Sequence, residues 1–232
     1  VRVKEWIKHC DERFIPEARK VFANSKAVAG RLKQYNNIES EPLYHPPPLA
    51  DVLRTGEQGD YIFYPSRLEP QKRQELLIEA IRFVTTPVKV VLAGGSNNAK
   101  HYEGLIKQSG VGDRVEMRGF ISDQEMVQLY AGALGVCYLP FDEDYGYVTL
   151  EGMLSGKPVI VARDGGGATE FIEHEREGFV VEPEPEAIAD CMDSLYADRV
   201  RARAMGERGR ERLKSMNLSW EQVVDHLISA SA

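Results

Sequence analysis

From Gly59 onward, short and almost unbroken apolar runs alternate with segments of helical spacing. This alternation narrows the fold more than any other feature of the chain. Tyr61–Tyr64, Val88–Leu92, Arg114–Met117, Gly135–Tyr138, Pro158–Ala162 and Gly178–Val181 predict strands. Between and after them, 71–83, 99–109, 123–131, 148–155 and 184–196 predict helices; Leu76, Leu77, Ala80 and Ile81 mark the apolar face of the first. Ser122, with Glu125 three residues on, spells a capping box for the helix at 123–131. A strand with one wet face alternates polar and apolar residues. A strand apolar throughout is covered on both faces, as in parallel sheets. Parallel neighbours need crossover connections, and right-handed crossovers wind helices onto both sides. The expected fold is therefore α/β: an open, doubly wound, Rossmann-like parallel sheet of about six strands, with ligands at the carboxyl ends of its strands.

The two ends depart from this pattern. Residues 1–35 read as mostly helical, interrupted by a strand-like Val21–Asn24, after which Ser25 caps a helix over 26–35. His45-Pro46-Pro47-Pro48 stiffens a connector. At the far end Ser219 with Gln222 spells a capping box for a last helix that holds Trp220, Val223, Val224 and Leu227. The expected division is a leading tail with its proline-rich linker over 1–48, a ligand-binding domain over 49–216, and a C-terminal helix over 217–232. The chain starts on Val1, with no basic and apolar leader behind it. That reads as a fragment or a processed product without a secretory signal.

Composition excludes several classes. The net charge of −7, from 29 basic and 36 acidic residues, argues against nucleic acid as a partner. Arg199–Arg212 is a local basic run, read as a solvated helix face, with a peripheral membrane contact as the competing reading. No apolar stretch approaches the roughly 18 residues a membrane span needs. Cys10, Cys137 and Cys191 lie far apart without a C-x-x-C pair, which suits a reducing compartment. The histidines show no metal-ligand spacing, so no metal is expected.

Two constellations carry chemistry. Ser66-Arg67-Leu68-Glu69-Pro70-Gln71-Lys72 follows a strand and opens a helix. Free N–H groups at a helix start favour phosphate, and Arg67 and Lys72 would add positive charge. The plainer reading is a pair of surface cations. The second constellation runs from Glu143 to Glu151 and lies between a strand end and a helix. Gly146 lets backbone approach a ligand. The first turn, Tyr147–Leu150, offers unpaired N–H groups, and Glu151 can accept from a ribose diol. Acidic residues also favour helix starts for dipole reasons alone. That explains Glu143 and Asp144 but not the glycine set among aromatic residues.

These residues together resemble the C-terminal domain of retaining GT-B glycosyltransferases. Glu143 and Glu151 match the family's two acids seven residues apart, and Tyr145-Gly146 its Phe-Gly step. Gly152–Val159, Ser66-Arg67-Leu68 with Lys72, and Gly165-Gly166-Gly167-Ala168-Thr169-Glu170 resemble its neighbouring motifs in the same order. Asn24-Ser25 is similar to the end of the acceptor-side domain. The resemblance implies that Arg67 and Lys72 hold the donor diphosphate and help the leaving group depart. It implies that Glu151 holds the ribose and that Glu143 contacts the transferred sugar, a positioning group first and a catalytic candidate second. The backbone N–H groups of Tyr145, Gly146, Tyr147, Val148 and Thr149 would face the sugar and phosphate, and Arg118, Gly119 and Phe120 would line the base pocket through backbone atoms. No cofactor is implied. The donor would be a nucleotide-diphosphate sugar, GDP-mannose by likeness to mannosyltransferase-like members, with a UDP-sugar as the alternative. The acceptor would be a glycan or a lipid-linked sugar. The placement would be cytoplasmic, extending to the inner face of the membrane, and an N-terminal domain would complete the enzyme. Asp144, Val148 and Ser66 stand where the family often has Gly, Pro and Gly.

Competing readings follow from the same residues. Asp142-Glu143-Asp144 has the form of an Asp-x-Asp metal motif, but Arg67 and Lys72 already supply positive charge. Gly94-Gly95-Ser96 lacks the spacing of a dinucleotide fingerprint. A nucleotide-sugar-binding module without catalysis fits the same motifs. A GT-B sugar epimerase would use carboxylates for proton transfer but should lack the paired glutamates.

Overall fold

The structure is a computed structural model that describes residues 2–230. In chain order the elements are α1 (Arg2–Phe14), β1 (Phe22–Ala23), α2 (Lys26–Asn36), β2 (Glu41–Pro42), β3 (Tyr61–Pro65), α3 (Gln74–Ala80), β4 (Lys89–Ala93), α4 (Ala99–Ser109), β5 (Val115–Met117), α5 (Asp123–Gly132), β6 (Gly135–Tyr138), α6 (Tyr147–Leu154), β7 (Val159–Ala162), β8 (Gly178–Val181), α7 (Pro185–Ala197), α8 (Arg199–Met216) and α9 (Trp220–Ser229). They fall into two compact units. One comprises residues up to Pro46 together with those from Leu218 on; the other is Pro47–Asn217.

In the first unit, the fully buried Ser25 caps α2 by accepting from the Val28 N–H at 3.0 Å. Asn37 ends the helix in the left-handed region, at φ 53°, where its N–H reaches the Leu32 and Lys33 carbonyls. β1 and β2 pair in parallel. Ser219 accepts from the Gln222 N–H to start α9. The His45 ring stacks on Trp220 with centroids 5.3 Å apart. α1 buries none of its residues and leaves Val3, Trp6, Ile7 and Phe14 largely exposed.

The second unit is built on six parallel strands in the order β5-β4-β3-β6-β7-β8. β4, β6 and β7 are buried almost throughout, as the unbroken apolar runs require. On one side α3 packs against α4 and α7; α6 packs against α8. Chain order reverses at the β3–β6 junction, and an open α/β sheet holds its crevice at such a reversal. Ser122 and Glu125 complete a reciprocal capping box on α5.

Two expectations need correction. The helix predicted over 71–83 is shorter: a 3₁₀ turn at Pro70–Lys72 leads to α3, which ends at Ala80. Arg73 breaks it by adopting φ 52°, a conformation stabilised by its own long-range contacts. The basic run of α8 is not simply a solvated face. Arg199 bonds the Gly59 carbonyl at 2.8 Å, Arg201 pairs with Glu175, Arg208 bonds the Arg176 carbonyl and Arg212 pairs with Glu177. These arginines join α8 to the loops around it. No described helix is long and apolar enough to cross a membrane.

Candidate functional site

The predicted residues lie on loops leaving the carboxyl ends of the strands and on the first turns of α6, and those loops bond to one another. The Ser66 N–H reaches the Ala93 carbonyl at 2.8 Å, and the Leu68 N–H reaches Gly95. The Gly94 N–H reaches the Gly119 carbonyl at 2.7 Å. Gly94 sits at φ 151°, and a Cβ there would lie 2.0 Å from the Ser66 carbonyl oxygen, so only glycine admits this approach. Gln74, fully buried at the start of α3, donates to Ser66 Oγ at 3.1 Å and to the Arg67 carbonyl at 2.8 Å. The loop after β3 is thus held from both sides.

Across the reversal point stands a polar triangle. Lys72 Nζ bonds Glu143 Oε2 and reaches the Tyr138 hydroxyl at 3.1 Å; that hydroxyl donates to Glu143 Oε2 at 2.8 Å. The Lys72 and Glu143 side chains are only 17% and 21% exposed, so their charges meet in a partly desolvated place. Burial, and after it the Glu143 charge, hold the Tyr138 hydroxyl protonated well above the usual tyrosine range. Tyr138 therefore acts here as a hydrogen-bond donor.

Lys72 is aimed by its neighbour. Arg73 forks onto both Asp164 carboxylate oxygens at 2.9 and 2.6 Å, and also bonds the Leu139 and Pro140 carbonyls at 2.7 and 2.9 Å. The Arg73 hydrogen bond, opposed by partial burial, holds the Asp164 carboxyl below its usual range. The Lys72 carbonyl accepts from the Tyr64 hydroxyl, which in turn accepts from the Leu139 N–H at 3.0 Å. The loops after β3, β6 and β7 are joined through this clamp.

α6 begins at Gly146, whose φ of 87° and close approach leave no room for a side chain: a Cβ would lie 2.7 Å from that of Ala168. The Thr149 hydroxyl donates to the Ala168 carbonyl at 3.0 Å, and the Gly167 N–H donates to the Glu143 carbonyl at 2.8 Å. Glu151, one turn in, accepts from the Tyr130 hydroxyl at 2.6 Å. Burial raises the Glu151 pKa, and the Tyr130 hydrogen bond opposes that rise. Among the described residues, no group of three or more His, Cys, Asp or Glu is placed to hold a metal.

The family model for glycosyl transferases group 1 matches residues 49–212. The chain belongs to this family. It is 29% identical over 194 residues to the human alpha-1,3/1,6-mannosyltransferase ALG2, covering 77% of this chain and 46% of that protein. It is 31% identical over 210 residues to a GDP-mannose-dependent alpha-(1-6)-phosphatidylinositol monomannoside mannosyltransferase of Mycobacterium tuberculosis, covering 83% of this chain and 54% of that protein. The chain thus spans about half the length of these relatives. Among solved structures, Anabaena HepE in complex with UDP and glucose superposes with a TM-score of 0.84 at 24% identity, covering 97% of this chain and 66% of that one. The fold is that of the GT-B glycosyltransferases.

Within this glycosyltransferase domain the predicted residues divide. Lys72 and Glu143 meet, with Gly146 beside them. Arg67 instead extends a side chain 73% exposed towards Glu69, at 3.1 Å. Arg118 pairs with Glu116 at 2.6 Å, Gly119 contributes its carbonyl to the Gly94 contact, and Phe120 is 88% exposed. The side chains of Tyr145 and Thr149 are buried. Tyr145 packs edge-on against Phe171, and the Thr149 hydroxyl is turned inward. The Thr149 N–H, expected to be free, bonds the Gly146 carbonyl at 3.0 Å; Tyr147 and Val148 are half-buried. Sequence reasoning missed Tyr138, Tyr130, Arg73 and Asp164. The tyrosines sit inside a strand and a helix, where they pass for core residues. Arg73 and Asp164 are 91 residues apart.

Proposed function

We propose that this chain is the donor-binding half of a retaining hexosyltransferase. Such an enzyme would move mannose from GDP-mannose to a glycan or lipid-linked acceptor. The observation that carries the reading is the Lys72–Tyr138–Glu143 triangle, held at the sheet's reversal point beside the N-terminus of α6. The chief barrier to transfer is charge building on the departing diphosphate. Lys72, with the exposed and movable Arg67, places cations where that charge would form. The helix start adds the positive end of a dipole. Glu143, held by Lys72 and Tyr138, orients the hexose through its hydroxyls, and retention needs no protein nucleophile in this scheme. Glu151, fixed by Tyr130, accepts from the ribose diol. Gly119 and its neighbours offer backbone to the base. The donor is a substrate, and the chemistry runs without cofactor or metal.

The domain boundaries of this reading are 49–216 for donor binding and 1–48 for the end of an acceptor-side domain with its linker. We place the reaction on the cytoplasmic side, at the membrane face when the acceptor is lipid-linked; failure of the protein to float with anionic vesicles would remove that placement. The M. tuberculosis relative's name supports GDP-mannose, whereas HepE is bound to UDP. Isothermal titration of the chain with GDP, UDP, ADP and their mannose and glucose conjugates, without added metal, tests the assignment. One diphosphate should bind in the micromolar to low millimolar range, GDP first. Binding of none, even with magnesium, overturns the donor-site assignment. Selective binding of UDP removes GDP-mannose.

A further inference from the structure

A hollow of about 580 Å³ lies where Thr55–Gln58, ahead of β3, and Gly156-Lys157, ahead of β7, come against α8. These segments mark the amino ends of the strands, opposite the edge that carries Lys72 and Glu143. Lys157 lines it and is only 1% exposed. Its ammonium makes one hydrogen bond, to the Gly56 carbonyl at 3.1 Å, and among the described residues it has no carboxylate partner. An ammonium has three donors, and a buried charge without a counter-charge is costly. Burial, and then the Arg203 charge, push the Lys157 pKa down to about 8.

Above it, α8 contributes Arg203, Arg210 and Lys214. Spacings of seven and four place them on one stripe of the helix. Other arginines of α8 are engaged with Asp60, Glu175 and Glu177, whereas these three form no ion pair among the described residues. Three acids, Glu57, Glu207 and Glu211, also line the hollow. They are exposed and can turn to water; Lys157 cannot.

We propose that this hollow is a second anion site that takes a small, soluble phosphomonoester, its phosphate against Lys157 and its remainder under Arg203 and Arg210. A phosphomonoester carries nearly two negative charges at neutral pH and three acceptor oxygens, which matches a buried ammonium flanked by guanidinium forks. The volume falls within the range of small-ligand sites.

Amide NMR of the 232-residue chain, titrated with glycerol 1-phosphate, tests this. Saturable shifts are expected at Gly56, Gln58, Gly156 and Lys157. Lys72→Ala should leave them unchanged. The double variant Arg203→Ala/Arg210→Ala, at one exposed and one half-buried position, should weaken them about tenfold, the loss expected for two solvent-screened charge pairs, while nucleotide diphosphate binding stays as it was. Lys157→Met should abolish them; if that variant does not fold, the double variant decides. The proposal is overturned by shifts confined to residues 66–72 and 143–151, by shifts that never saturate, by insensitivity to the double variant, or by binding to phosphatidic acid vesicles alone.

Discussion

Replacing Arg73 with alanine should cost this domain about 3 kcal/mol, although Arg73 would touch no ligand in the proposed mechanism. The side chain makes two bonds to the Asp164 carboxylate and one each to the Leu139 and Pro140 carbonyls. Arg73 is 19% exposed and Asp164 35%, so water replaces the lost partners only in part. A bidentate pair in such surroundings contributes ~2 kcal/mol, and the two stranded carbonyls add about 1. In a urea titration with a slope near 2 kcal/mol/M, the midpoint should fall by about 1.5 M. The difference should also depend on pH. Arg73 depresses the Asp164 pKa in the folded state, so the contribution is fully present above the unfolded aspartate value, ~3.9, and is lost as pH falls through the lower folded value. Loss of the clamp should also loosen Lys72 and weaken diphosphate binding. A change below about 1 kcal/mol, or one constant from pH 7 to pH 2.5, would refute the reasoning.

Other substitutions probe the rest of the site. Glu151→Ala should weaken nucleotide binding by about 1.5–3 kcal/mol if the charged carboxylate bonds a ribose, and calorimetry showing unchanged affinity rules that role out. It also strands the buried Tyr130 hydroxyl, so Glu151→Gln should recover stability better than affinity. Arg67→Ala should weaken diphosphates more than nucleosides in the same calorimetric assay; equal losses contradict its phosphate role. Gly146→Ala forces a side chain into φ 87° and against Ala168, and should lower stability by about 3 kcal/mol, read as a lower urea midpoint.

Legibility from sequence followed the range of the forces involved. β4, β6 and β7 were plain because burial on both faces leaves an apolar run that nothing else produces. The cap at Ser122 was plain because its partner is three residues away. The start of α3 was not. Arg73 takes a left-handed turn in exchange for contacts with residues 66 to 91 positions off, and no local pattern encodes that exchange. Lys72 and Glu143 were singled out separately; what joins them, Tyr138, reads as one more apolar position of β6. The side chains of Tyr145 and Thr149 were equally hard to place, because the tight approach of Ala168 to Gly146 that makes both into packing is a contact between distant segments.

The unit that holds α1 and α2 also needs α9, and His45 stacks on Trp220, 175 positions later. On a ribosome the intervening sheet, with its nearer partners, is complete and free to fold while α9 is still inside the exit tunnel. The smaller unit, whose earlier elements precede the sheet, is therefore finished only after it. Until then α2 and the β1–β2 pair wait without their final helix, so they are the segments most open to proteases and chaperones during synthesis.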